Sequence, residues 1–154
     1  MTVLVLCFLI GTMAGLRSMS APAAVSWAAY LGWLPLSESW LAFLGYSWTP
    51  WILSFLAAGE LVTDQLPSTP SRKVPVQFGG RLLTGAVSGA ALGLAAGSPW
   101  LGALAGMVGA AAGTLGGAAA RAKLAAVFGR DLPAALIEDA VAIIGSLLIV
   151  LAAA

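Results

Sequence analysis

The side chains best placed to do chemistry are seven ionisable residues set within long apolar stretches: Arg17, Glu60, Asp64, Arg81, Arg121, Glu138 and Asp139. Glu60 and Asp64 are four apart and share one helix face. Glu138 and Asp139 lie two turns into the last apolar stretch, about 10 Å deep by helix rise. An ionised group in hydrocarbon costs at least about 2.5–3.5 kcal/mol on insertion scales, so such groups face a partner or a cavity. Two chemistries fit this set. The four carboxylates are ligands or relays for a small solute, a cation or a proton, with the hydroxyls of Ser18, Ser20, Thr63, Thr84 and Ser146 as further oxygens. Alternatively, carboxylates and guanidiniums form a structural ion-pair network that neutralises the helices and fixes their register. Both readings stay open at this point.

Other chemistries lack their residues. The chain has no histidine and one cysteine, Cys7, so it forms no internal disulfide and offers no usual zinc ligand set. It has no G-x-S-x-G nucleophile elbow and no phosphate-cradling G-x-x-x-x-G-K-[ST] loop. No catalytic residue, metal or cofactor is expected, and the chain reads as a non-enzyme. A formal net charge of +1 gives no argument for a nucleic-acid partner.

The elements that carry these residues belong in a bilayer. Hydrophobic residues make up 60 % of 154 positions and charged residues 8 %, and mean hydropathy is +0.99. A soluble domain carries roughly 25 % charged residues. The expected fold is an all-α membrane protein, one domain over residues 1–154, with five transmembrane helices. Six are expected if the first segment is broken or re-entrant. Val3 to Leu31 is the first stretch, interrupted by Arg17 and Pro22. Its start carries no Lys or Arg before Arg17, which favours a retained helix over a cleaved signal. Trp33 to Trp48 reads as an aromatic interfacial loop. Spans follow at Trp51 to Leu66, Arg81 to Gly97, Trp100 to Ala120 and Ala134 to Leu151, the last opened by Asp131 as N-cap and Pro133 near the first turn.

Orientation and packing have their own signals. Arg72, Lys73 and Arg81 flank one loop and Arg121, Lys123 and Arg130 another, while the Trp-rich loop and the Ser98-Pro99 turn hold no cation. The positive-inside rule makes the basic loops cytoplasmic. In the five-span reading the N-terminus is cytoplasmic too; a split first stretch reverses it. Gly85, Gly89, Gly93 and Gly97, then Gly109, Gly113 and Gly117, and Gly11 with Gly15 recur every four residues, the G-x-x-x-G spacing of close helix packing. One stripe could also seal a homo-oligomer, and so small a bundle barely encloses a path alone. The stretch Gly11 to Gly32 echoes Gly109 to Gly129 with one gap, which fits an inverted repeat of the transporter kind or a chance match between Gly/Ala-rich helices.

The loop from Leu66 to Lys73 holds Ser68, Thr69, Ser71, Arg72 and Lys73. It suits a phosphate or anionic headgroup, or a solvated turn whose cations set topology. Several strings are motif-like. They are Gly15-Leu16-Arg17-Ser18 with Ala21-Pro22-Ala23, Glu60-Leu61 through Asp64 to Leu66-Pro67 and Thr69-Pro70-Ser71-Arg72, Gly113-Thr114 with Gly116-Gly117, and Asp131-Leu132-Pro133 with Ala135-Leu136 and Glu138-Asp139-Ala140-Val141-Ala142. On these strings the chain resembles a bacterial family of small membrane proteins known as a domain of unknown function. The resemblance implies a multi-pass protein of the bacterial inner membrane and lends no substrate. The expected function is transport or conduction of a small solute or ion through the acidic and arginine site. The alternative is an accessory or scaffold protein whose charged layer is structural.

Overall fold

The computed structural model describes residues 2–66 and 73–154. These residues form six α-helices and one 3-10 turn, with no strand among them: α1 (Thr2–Leu16), α2 (Ser20–Tyr30), the 3-10 turn (Ala42–Gly45), α3 (Thr49–Thr63), α4 (Pro75–Leu94), α5 (Pro99–Phe128) and α6 (Asp131–Ala153). Prolines set the starts. Pro22, Pro50, Pro75, Pro99 and Pro133 each stand within the first three residues of a helix, where a missing N–H costs nothing. Pro22 also explains why the first stretch stops. Continued as one helix, its ring would strike the carbonyl of Ser18, and the helix ends just before that point.

The first stretch is therefore two helices of 15 and 11 residues, and they run in opposite directions. Val3 and Leu4 of α1 lie beside Ser98 and Leu101 at the start of α5. The last residues of α1 meet Arg81 in the first half of α4. From the break, α2 turns back, its Trp27 reaching Ser54 and Trp51 near the start of α3. The start of α1 thus lies at the aromatic end of the bundle, opposite the basic loops, which reverses the N-terminus of the five-span reading.

Glycine lets α1, α4 and α5 meet backbone to backbone. A Cβ built on Gly85 would lie 2.6 Å from the Cβ of Ala110, and one on Gly93 2.8 Å from the carbonyl of Ser98. Gly106 faces the Gly85 carbonyl, Gly109 that of Phe8 and Gly113 that of Thr12. The pairs rise together along α1 and α5, so these two helices are parallel, while α4 runs antiparallel to α5. The two glycine-bearing segments proposed as inverted copies therefore point the same way, and the expected inversion is absent from them. Their second halves differ as well, because α5 runs unbroken to Phe128 where the first copy breaks after Leu16.

Two helices, α5 with 30 residues and α6 with 23, are long and apolar enough to cross a membrane, where five or six spans were expected. The rest fall short for physical reasons. The break shortens α1 and α2, α3 has 15 residues, and α4 is diluted by Gln77, Arg81, Thr84 and Ser88. A single crossing needs about 20 apolar residues. The linker from Pro67 to Arg72 lies outside the described residues. Arg121 and Lys123 lie within α5, which continues past Ala120 and ends at Gly129 in the left-handed conformation, φ 67°. The N-cap of α6 is Arg130, and Asp131 is its first residue. At the aromatic end, Leu34, Leu36, Leu41 and Leu44 of the loop after α2 are buried in one core with Ala90, Leu92, Ile149 and Val150. Outside that core α3 is the least packed element. It rests on α2 and the 3-10 turn and leaves Ile52, Phe55, Leu56 and Val62 exposed.

The glycine seam carries a prediction. Gly106→Ala is expected to destabilise by about 1–3 kcal/mol through overpacking against the Gly85 carbonyl. Gly116→Ala, where a Cβ meets open space, is expected to be neutral or mildly stabilising. Unfolding curves of the two variants in detergent test the contrast.

Candidate functional site

The break between α1 and α2 creates the site. A helix that stops leaves carbonyls at its end and amides at the start of the next unpaired. Here both sets are met by charged side chains of other helices. The Arg81 guanidinium donates through Nη1 to the carbonyls of Gly15 and Leu16 at 3.0 and 2.7 Å. The Glu60 carboxylate accepts from the amides of Ser18 and Met19 at 2.8 and 2.9 Å, and from the Ser18 hydroxyl at 2.9 Å. Cation at a helix C-terminus and anion at an N-terminus both follow the peptide dipoles. Thr114 of α5 adds a hydrogen bond to the Gly15 carbonyl at 3.2 Å.

Arg17, in the break itself, is wholly buried. Its Nε donates to Asp139 Oδ1 at 2.6 Å, and Nη2 forms an ion pair with the same carboxylate. Nη1 is paired with Asp64, and Nη2 lies 3.9 Å from Glu138 Oε2. Arg81 Nη2 lies 3.4 Å from Glu60 Oε1 and 3.5 Å from Asp64 Oδ2. Arg121 reaches in from α5, with Nη1 3.4 Å from Glu138 Oε2 and Nη2 3.4 Å from the Asp64 carbonyl. Its Nε and Nη2 also take both oxygens of Asp131, at 2.9 and 2.5 Å. This two-point fork is the geometry guanidinium favours.

All seven residues singled out in the sequence thus come together in one layer joining the break, α3, α4, α5 and α6. It lies about 10 Å in from the basic ends of α4 and α6, by helix rise. Of the hydroxyls, Ser18 joins the layer, whereas Thr63, Thr84 and Ser146 donate to carbonyls of their own helices. Ser20 borders an apolar crevice of about 250 Å³ between α2, α3 and α6, walled by Ala23, Trp27, Ala57, Ala58 and Leu147. The loop hydroxyls Ser68, Thr69 and Ser71, with Arg72, lie outside the described residues.

Three participants were not found by sequence reasoning. Asp131 was taken for a helix cap, and its carboxylate instead clamps Arg121. Thr114 stood in the Gly113-Thr114 string, but nothing in that string marked it as a partner of the break. Gln65 donates to Asp139 Oδ2 at 3.4 Å, and an uncharged residue at a helix end gave nothing to read. Among the described residues no three His, Cys, Asp or Glu side chains converge as a metal site requires, because guanidiniums stand between the carboxylates.

Comparison with known proteins adds no identity: no family model, no curated protein and no solved structure matches the chain.

Burial of the layer sets the expected effect of cutting it. Arg17→Leu strips a buried charge network of its central cation and is expected to cost about 3–5 kcal/mol. Arg17→Lys keeps the charge without the fork and is expected to recover only part of that. Denaturant titration in detergent measures both.

Proposed function

We propose that the chain is a small multi-pass protein of the bacterial inner membrane that moves a small solute or ion through the charged layer. The observation carrying this reading is the break at Arg17–Met19 and the charges gathered on it. Discontinuous helices whose free amides and carbonyls face a polar centre are a recurrent transporter device, binding anions at half-helix N-termini and cations at half-helix C-termini. In this chain Glu60 occupies the first kind of position and Arg81 the second. A permeant cation competes with Arg81 for the carbonyls of Gly15 and Leu16 and with Arg17 for the carboxylates. A proton acts differently: it neutralises one carboxylate and releases the guanidinium that held it.

The α1–α2 hairpin reading accommodates the short helices. Two half-spans meeting at the layer, with α3 to α6 around them, fill a bilayer-sized bundle although, among the described residues, only α5 and α6 are long and apolar enough to cross unaided. The basic loops face the cytoplasm by the positive-inside rule. A homo-oligomer supplies the enclosure that one small bundle lacks. A second reading, a scaffold with a structural network, is favoured by one observation: Glu60, Asp64, Glu138 and Asp139 all have guanidinium or amide partners already.

Two measurements separate and test these readings. In reconstituted vesicles, Glu138→Gln and Asp139→Asn are expected to abolish ion or proton flux while the oligomer elutes unchanged. Flux equal to wild type in both variants overturns the transport reading, and loss of the oligomer supports the scaffold. Reporters fused at the two termini are expected on one side of the membrane and a label at Lys123 on the other; a terminus sharing the side of Lys123 overturns the hairpin arrangement.

A further inference from the structure

Outside the charged layer, α3 and α6 both pack on α2 and scarcely meet each other. The crevice between them is therefore a slot, with α2 as its floor and the other two helices as its walls. It stays open because the residues along it are small: Ala23 and Ala24 of α2 and Ala57 and Ala58 of α3, with Ile143 and Leu147 of α6 on the remaining side. The hydrogen bond from the Trp27 indole to Ser54 closes the end toward the aromatic loop. Ser20 stands at the other end, next to Met19 and the charged layer. From Ser20 to Trp27 is about 10 Å by helix rise. Over that length the volume of about 250 Å³ leaves a section of roughly 25 Å², the width of one hydrocarbon chain, whereas an α-helix with its side chains is about 10–12 Å across. Ile143 and Leu147 are 39 % and 49 % exposed, so the slot opens sideways on the outer surface of the bundle. None of its described lining residues is ionisable.

Ser20 supplies the slot with a polar handle. It is 6 % exposed and makes no side-chain hydrogen bond to any described residue, whereas Ser26 of the same helix donates to the Leu44 carbonyl. As the first residue of α2 it has no preceding helical turn to bond back to, and the Leu16 carbonyl four residues earlier is taken by Arg81. A buried hydroxyl left unpaired costs free energy that an acceptor on a ligand recovers. We infer that the slot seats one acyl chain of a phospholipid of the cytoplasmic leaflet, with Ser20 donating to the ester carbonyl at the head of that chain. Depth selects this occupant. The hydrocarbon core begins about 5–8 Å beneath the outer edge of the headgroups. The charged layer lies about 10 Å in from the basic, cytoplasmic ends of the helices, and the slot runs on from it toward the middle of the bilayer. Headgroup, ester and chain of a leaflet lipid follow one another in the same order. The site rests on the membrane placement in the proposed function and not on transport.

The test uses the full chain in vesicles of phosphatidylethanolamine and phosphatidylglycerol that carry a small fraction of phospholipid with a photoactivatable diazirine in one acyl chain. Adducts formed on irradiation are located by mass spectrometry. Ala23 and Ala24 are 8 % and 6 % exposed, so only a chain inside the slot reaches them, whereas Phe55, 79 % exposed on the outer face of α3, reports ordinary surrounding lipid. Adducts at Ala23 and Ala24 are expected to saturate as the probe fraction rises, while those at Phe55 grow in proportion to it. Ala57→Leu, which fills the slot, is expected to lower labelling of Ala23 and Ala24 several-fold and Ser20→Ala a few-fold, with Phe55 unchanged in both. Labelling of Phe55 without Ala23 and Ala24 overturns the site and leaves the membrane placement standing; no labelling at any of these residues removes the placement and the site with it. A free fatty acid carrying the same diazirine that labels Ala23 and Ala24 where the phospholipid does not overturns the phospholipid as occupant. Labelling that appears only at one copy per vesicle means that a second copy fills the slot, and overturns it too. Should Ala57→Leu fail to fold, saturation in the wild type decides: labelling of Ala23 and Ala24 in plain proportion to the probe, as at Phe55, overturns the site.

Discussion

A helix that ends inside an apolar bundle must find partners for the peptide groups it exposes, and this requirement organises the molecule. The amides at the start of α2 take Glu60, which fixes the end of α3 against the break. The carbonyls at the end of α1 take Arg81, which fixes the first half of α4. Arg17, projecting from the break, then draws Asp64 and Asp139 together, and Arg121 ties Glu138 to Asp131. Remove the break and the charges lose their reason to be buried. Remove the charges and the broken helix ends face hydrocarbon.

The glycine seams serve the same layer from the opposite direction. Charged side chains reach the break only if their helices approach closely, and branched residues at Gly85, Gly106 or Gly113 would hold the axes apart. The bundle thus combines a tight, nearly side-chain-free contact among α1, α4 and α5 with a polar centre at one end of that contact. The aromatic end is closed differently, by leucines of the loop after α2 packed on α4 and α6.

The charged layer was legible in the sequence because charge in an apolar stretch is costly enough to demand company, and all seven residues found it. Helical character followed from apolar runs and proline-marked starts. What periodicity could not supply was direction. Pro22 announced an interruption, but whether the chain bends or reverses there depends on Glu60 and Arg81, which lie 38 and 59 residues further on. The supposed inverted repeat failed for a related reason: glycine every fourth residue states how closely a helix packs and says nothing of which way it runs. Asp131 was misread because its type and its place two residues before Pro133 fit an N-cap, and spacing alone does not show that Arg121, ten residues earlier, reaches its carboxylate. Gln65 and Thr114 take part through single hydrogen bonds, and no single hydrogen bond leaves a pattern in composition or spacing.

The uneven packing of α3 divides the molecule mechanically. Where α4 lies on α5, carbonyl abuts glycine and neither helix can slide without driving main-chain atoms into each other, so that half behaves as a fixed frame. Near its ends α3 is fastened, by Trp51 on Trp27 and Ser54 on the Trp27 indole at one and by Glu60 and Asp64 at the other, and the crevice lies between. α3 thus depends on these two fastenings for its place, without the main-chain interlock that sets α4 on α5.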